Sequence, residues 1–333
     1  MSFLIYLDQN TLSNLRQRKL KESKNELFEL LKYVLGTEQV TVVYSHVILD
    51  EILQIPRTEY QQEHLDVLIE LQAKYIEPLN RSLISQSPEV VWRAHIDNKQ
   101  SNIDLGITNL MEVSQLSSRK LSGLPIDESF ADINEKVKSS LDTLLSNCEN
   151  QLASIDIESL DEPFKSYFSN MQGQMDQLRV KAATLQAPAI ASDQQLGPQP
   201  FRDIPEVKAL ELKALNVDSV VSAIEATFKV ENSNFNLADY FEDTPQTAVA
   251  RAYSLMNWAG YYADDFTKLK KGKDRFNASH NDMQHAVSAL GASFLISDDK
   301  DFVKKAKACY AYVGSSTVVC EPKGFIDQYC KFV

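Results

Sequence analysis

No run of about 18 apolar residues occurs in this 333-residue sequence, so no segment of it reads as a membrane-spanning helix. The N-terminus also lacks the basic-then-apolar layout of a secretory signal, and MSFLIYLD leads directly into a strand-like run. Cysteine is scarce. Cys148, Cys309, Cys320 and Cys330 form no CxxC pair and have no histidines at zinc spacing, which leaves reduced core thiols in a cytoplasmic protein as the expectation. A basic surplus is missing too. The net charge of −12 argues against a general nucleic-acid binder, whose affinity comes largely from neutralising phosphates, although local fields outweigh the sum. No internal repeat of fixed period is present.

What is there is an ordinary globular composition, 44% hydrophobic and 24% charged, with enough core material for one large domain or two ordinary ones. Segment 281–302, NDMQHAVSALGASFLISDDKDF, organises the rest. Asn281 reads as the N-cap and Gly291 as the stop of a helix whose apolar positions are Met283, Ala286, Val287 and Leu290. Residues 293–297 are an apolar burst too short for a helix, followed by Asp298, Asp299 and Asp301. Two further strand-like runs send acids the same way. Phe3–Leu7 runs into Asp8, Gln9 and Asn10; Val40–Tyr44 leads through Ser45, an expected N-cap, into a helix with Asp50 and Glu51. Ligands of an open α/β sheet sit beyond the carboxyl ends of its strands. Asp8, Glu51, Asp282 and Asp299 are therefore expected at one site. Such carboxylates drive each other toward their neutral forms unless a cation intervenes, and an all-oxygen set of high charge selects Mg²⁺ or Mn²⁺ over zinc. Asp50 and Glu51 are adjacent on a helix and diverge by about 100°, so only one of them can point inward.

YLDQN, the strand leading to Glu51, the NDMQHA helix and LISDDKDF, in this order, resemble a PIN-domain nuclease over about the first 55 and last 60 residues. The tail is similar as well, with a strand at 317–320, Glu321, Pro322 and a closing helix at 324–332. The resemblance implies an α/β fold with a mainly parallel sheet of four or five strands flanked by helices. Residues 1–77 and 276–333 would form that nuclease core, and 78–275 a large all-helical insertion. It also implies metal-dependent endonuclease activity on RNA, less often DNA, leaving a 5′-phosphate and a 3′-hydroxyl. In the two-metal scheme a pair of Mg²⁺ or Mn²⁺ ions about 3.5–4 Å apart clamps the attacking and leaving oxygens. Asp8 and Asp282 would be direct ligands, Glu51 the next, and Asp299 a ligand through water. Ser297 stands where the family has Thr or Ser. Asn10 reads either as a partner of Asp8 or phosphate, or as the cap of the first helix. His285 lies three residues after Asp282 and orients a metal-bound water, contacts phosphate or simply packs. Asp298 and Asp301 read as a solvated turn and an N-cap. The resemblance leaves room for a protein inhibitor, as PIN toxins have in antitoxins, and for an oligomer.

A polyanion reaching an acidic chain needs a locally positive path. Arg16, Arg18, Lys19, Lys21 and Lys24 follow Asp8, and Lys268, Lys270, Lys271, Lys273 and Arg275 precede Asp282; the second cluster is the expected nucleic-acid contact, with solvated faces as the alternative. Between the ends, 11–35 and 60–75 read as helices. Ile133, Leu141, Leu145, Cys148 and Leu152, then Phe164, Phe168, Met171 and Met175, keep a helical period as packing stripes. Segment 186–205, QAPAIASDQQLGPQPFRDIP, reads as a loop, and Thr244 caps a helix that has Pro245 first. The competing reading is a catalytically degenerate PIN-like binding or assembly module whose function lies in the helical insertion. A haloacid-type phosphatase would need an acid where Asn10 stands.

Overall fold

The structure is a computed structural model that describes residues 2–16, 22–78, 80–156, 159, 161–187, 195–228, 244–266 and 275–329. Its strands are β1 (Phe3–Leu7), β2 (Val40–Tyr44), β3 (Lys74–Ile76), β4 (Leu83–Ile84), β5 (Phe294–Ile296) and β6 (Val318–Cys320). They form one sheet in the order β4-β3-β2-β1-β5-β6. Every neighbouring pair is parallel except β3–β4, with Ile5 opposite both Val42 and Phe294. The chain is therefore α/β with a mostly parallel sheet, of six strands instead of the four or five expected. The extra strands are β3, which overlaps the end of the run expected as helix 60–75, and the two-residue antiparallel edge β4. Neither is long enough to display a period of two.

Apolar runs without alternation build the centre of this sheet because a parallel strand is buried on both faces. Ile5, Tyr6, Val42, Val43, Leu295 and Ile296 are all at most 1% exposed. Burying each such side chain stabilises the fold by roughly 1.5–3 kcal/mol.

Around the sheet, α1 (Gln9–Leu15) and α2 (Glu22–Leu35) replace the single helix expected over 11–35. Asp8 caps α1, taking the role offered to Asn10. Next come α3 (His46–Leu53), capped by Ser45 as its sequence suggests, and α4 (Thr58–Glu70). The helical series continues as α5 (Pro88–Leu105), α6 (Ile107–Leu121), α7 (Phe130–Ala153), α8 (Glu162–Ala183), α9 (Pro198–Arg202), α10 (Pro205–Lys208) and α11 (Val220–Phe228). The segment read as a loop, 186–205, is thus helical from Pro198, and its residues 188–194 lie outside the described residues. α12 (Pro245–Ala259) opens on a Thr244–Thr247 capping box and stops at Gly260, whose φ of +96° favours glycine. The last helices are α13 (Phe276–Ser288), α14 (Lys300–Tyr312) and α15 (Pro322–Tyr329). α12 packs on α13 and α14, and α15 packs on α2. No described helix is long and apolar enough to cross a membrane.

The chain divides into two compact units, one from Met1–His95 with Pro198–Val333 and the other Ile96–Gly197. The boundaries expected at 78 and 275 fall inside the first. In the second, α7 packs on α6 and α8 around Leu145, Leu152 and Met175, with Phe168 and Met171 of the expected stripe against them. Gly123 and Gly197, both in the left-handed region, meet there so closely that a Cβ on Gly123 would sit 3.2 Å from the Gly197 Cα. Cys148, Cys309 and Cys320 are unbridged, and Cys330 lies outside the described residues.

Candidate functional site

From β1 the sheet grows through β2 to β3 on one side, and the chain returns on the other side as β5. The carboxyl edge between β1 and β5 is thus a topological switch point, where a crevice for ligands opens. Asp8 stands at that point, 4% exposed, with its amide donating to the Ile296 carbonyl at 3.1 Å. Its Oδ1 accepts from the Thr11 amide at 2.8 Å, and its Oδ2 accepts from the Ser297 hydroxyl at 2.6 Å. Burial pushes the Asp8 carboxyl above the ordinary range, against the pull of its Ser297 and Thr11 hydrogen bonds.

Ser297 joins Asp8 to Asp299, since its oxygen also accepts from the Asp299 amide at 3.0 Å. Asp299 in turn caps α14, with Oδ1 accepting from the Asp301 amide at 2.9 Å and the Phe302 amide at 3.0 Å. The N-cap is therefore Asp299 and not Asp301, which lies in the first turn. Asp298 is no free turn residue either: it accepts from Asn14 at 3.1 Å and pairs with Lys24.

Glu51 points inward from α3 and Asp50 does not. Glu51 Oε1 accepts from Asn281 Nδ2 at 3.0 Å, while Oε2 lies 2.9 Å from His285 Nε2. Asp50 faces His95 Nε2 at 3.0 Å. Because α13 begins at Phe276, Asn281 is an interior residue that serves as a donor to Glu51, not the N-cap expected, and Asp282 lies mid-helix. The chain of polar contacts continues inward, from His285 Nδ1 to the Tyr6 hydroxyl at 2.9 Å and from Tyr6 to Ser45 Oγ at 2.7 Å. Burial alone would lower the His285 imidazole. The Glu51 hydrogen bond, with the charges of Glu51, Asp8 and Asp282, outweighs burial and raises it. A protonated ring donates from both nitrogens, which matches its two acceptors.

Asp282 shares a helix face with His285, yet among the described residues its carboxylate has neither a hydrogen bond nor an ion pair. Burial and the charge of Asp264 push it up to about 8, with Asp299 adding to the rise and Lys305 and His285 opposing it. Asp264 and Lys305 are the members that sequence reading missed. Lys305, 1% exposed, donates to Asp264 Oδ2 at 2.7 Å and to Asn257 Oδ1 at 3.1 Å, above the Tyr253 ring. Asn257 completes the set by donating to Ser279 Oγ at 2.8 Å and accepting the Asp264 amide at 3.3 Å.

The structure thus gathers Asp8, Glu51, Asp282 and Asp299, together with Ser297 and His285. Asn10 is exposed on α1 and takes no part. Arg275 precedes α13, while Lys268, Lys270, Lys271 and Lys273 lie outside the described residues, as do Arg18, Lys19 and Lys21. Among the described residues, no three His, Cys, Asp or Glu side chains form a ready metal cage. The donor set nonetheless has the chemistry of a hard-cation site: oxygens only, mutual repulsion, and one carboxylate without a partner. No protein-family model, curated protein or solved structure matches the chain.

Proposed function

We propose that the chain is a divalent-metal-dependent endonuclease with a PIN-like core, acting on RNA in preference to DNA, and that its helical insertion serves specificity or assembly. The observation that carries this reading is Asp282, a carboxylate without a partner among the described residues, pushed up to about 8 by burial and by Asp264, with Asp299 adding to the rise. Its repulsion is what a hard cation would relieve. Acids at the ends of the adjacent parallel strands β1 and β5, with Glu51 on the helix after β2, support the same reading.

Asp8, Asp282 and Asp299 would hold Mg²⁺ or Mn²⁺, with Glu51 behind them fixing His285. When bound, the metal would neutralise the carboxylates and polarise the scissile phosphodiester toward attack by water. The protein's part is preorganisation. Ser297 and the Thr11 amide fix the Asp8 carboxylate, and the first turn of α14 fixes Asp299. His285, 2% exposed, balances the acids from behind and does not reach substrate.

The test is to incubate metal-free protein with mixed single-stranded RNA and DNA in Mg²⁺ or Mn²⁺, against EDTA, beside Asp282→Asn and Asp8→Asn. Cleavage to 5′-phosphate ends by the wild type alone, and only with metal, is expected. RNA bound but left intact under every condition would support the second reading, a PIN-like binding module without catalysis. That reading is favoured by one observation: Asp8, Glu51 and Asp299 already accept hydrogen bonds from the protein.

A further inference from the structure

A cleft of about 400 Å³ opens where α12 ends, lined by residues of α9, α10, the 3₁₀ turn Leu212–Ala214 and Gly260. That volume lies in the range of small-molecule and single-nucleotide sites. Arg202 and Lys213 line it, and Tyr262 stands beside it. Two ammonium groups approach the Tyr262 ring, with Lys213 Nζ 5.0 Å from its centroid and Lys304 Nζ at 4.3 Å. Lys304 also donates to the Tyr262 hydroxyl at 2.6 Å. Among the described residues, none of Arg202, Lys213 and Lys304 has a carboxylate within ion-pair distance. Lys24, Lys32, Lys136, Arg179 and Lys208 do. Three cations around one concavity with no carboxylate at ion-pair distance leave donors for an outside anion, even in a chain of net charge −12.

The backbone gives a second, independent sign. Among the described residues, Tyr262 (φ +45°) and Glu211 (φ +42°) are two of the four non-glycine residues in the left-handed region, and both belong to this cleft or its rim. Such backbone strain collects at ligand clamps. Anions also disfavour a helix C-terminus, but here Arg202 already covers the α12 end. Its Nε donates to the Trp258 carbonyl at 3.0 Å and its Nη2 to that of Asn257 at 2.7 Å.

Continuity with the acid site is the third observation. Tyr262 and Lys304 flank the cleft, while Asp264 and Lys305, their near neighbours in sequence, turn into the acid cluster. Two short segments thus carry Tyr262 and Lys304 outward and the Asp264–Lys305 pair inward. We propose that this cleft holds the phosphate backbone of a single-stranded nucleic acid beside the acid site, gripped by Arg202, Lys213 and Lys304 around Tyr262. The proposal rests on the nuclease reading and names its substrate path. The acids facing the cleft are Glu211 in its wall, Asp203 paired with Lys208, Asp265 near Arg202 and Asp301 near Lys304; they keep the grip modest and salt-sensitive.

The experiment is fluorescence anisotropy of a labelled ten-nucleotide oligouridylate with intact protein in EDTA, across a salt series. Lys213→Gln with Lys304→Gln changes two exposed side chains, so folding should survive; the far-UV spectrum and melting point check it. Each lost single-strand phosphate contact removes about 0.7 from the slope of log K against log salt, so the double variant should lose about 1.4 and bind roughly 25-fold more weakly at 0.1 M salt. Wild-type binding with an unchanged slope in the double variant overturns the cleft while sparing the nuclease reading. Wild-type protein that neither binds nor cuts overturns both. Displacement of the oligouridylate by an equal concentration of polyglutamate overturns the nucleic-acid assignment.

Discussion

At the scale of single residues, Asp282 decides how the protein should respond to pH. Its carboxyl titrates near 3.9 in an unfolded chain and at about 8 in the fold, so the folded state holds the proton more tightly between those values. Stability must then fall as pH rises from about 4 to 8. Asp8, also raised, slopes the same way; His285, raised through Glu51, stabilises below about 6.5 and loses that contribution as pH rises through its folded value. All three act in one direction. The melting temperature of metal-free protein should therefore drop between pH 5 and 8.5, and Asp282→Asn should flatten most of the drop. An equally steep profile in the variant would remove Asp282 from this role. At pH 8, Mg²⁺ or Mn²⁺ at 100-fold over its Kd should restore about 2.7 kcal/mol to the wild type and little to Asp282→Asn, as read by thermal shift.

Between elements, the buried Lys305–Asp264 pair ties α14 to the segment after α12. Breaking a buried pair on one side strands a charge, which typically costs about 3–5 kcal/mol. Asp264→Ala should therefore lower the urea midpoint sharply, and adding Lys305→Met to it should recover much of the loss. A double variant as weak as the single one would mean the pair matters through packing alone. This tie was invisible in the sequence, because Asp264 follows a helix without periodic context and its partner comes 41 residues later. β1 and β5 were legible as continuous apolar runs and β2 as a β-branched one, each ending in polar residues. That only one of Asp50 and Glu51 points inward followed from helix geometry, while the choice of Glu51 came from the resemblance. Caps were legible where residue type decides them, as at Ser45 and Thr244. They were not where backbone conformation decides, so Asp299 took the place expected of Asp301, and Asn281 proved interior once α13 began at Phe276.

For the whole molecule, the two units offer separate spectroscopic handles. Both tryptophans, Trp92 and Trp258, lie in the sheet-bearing unit, whereas helices contribute to circular dichroism from both. The helical unit's own cluster of buried apolar residues is small, centred on Leu145, Leu152 and Met175. Urea should thus unfold it first, with ellipticity beginning to fall before tryptophan emission shifts. Superimposed transitions would instead mark one cooperative unit.

The position of β1 between β2 and β5 also has a consequence in time. Leu4 donates its amide to Ser293, 289 residues further along the chain. At 5–20 residues per second a ribosome needs roughly 15–60 s to cover that interval, and throughout it one side of β1 is an apolar edge without its partner strand. Asp8 and Glu51 are made long before Asp282 and Asp299. Through that interval a nascent chain of this design carries Asp8 and Glu51 without Asp282 and Asp299, so the four can share one sheet edge only after β5 has paired with β1.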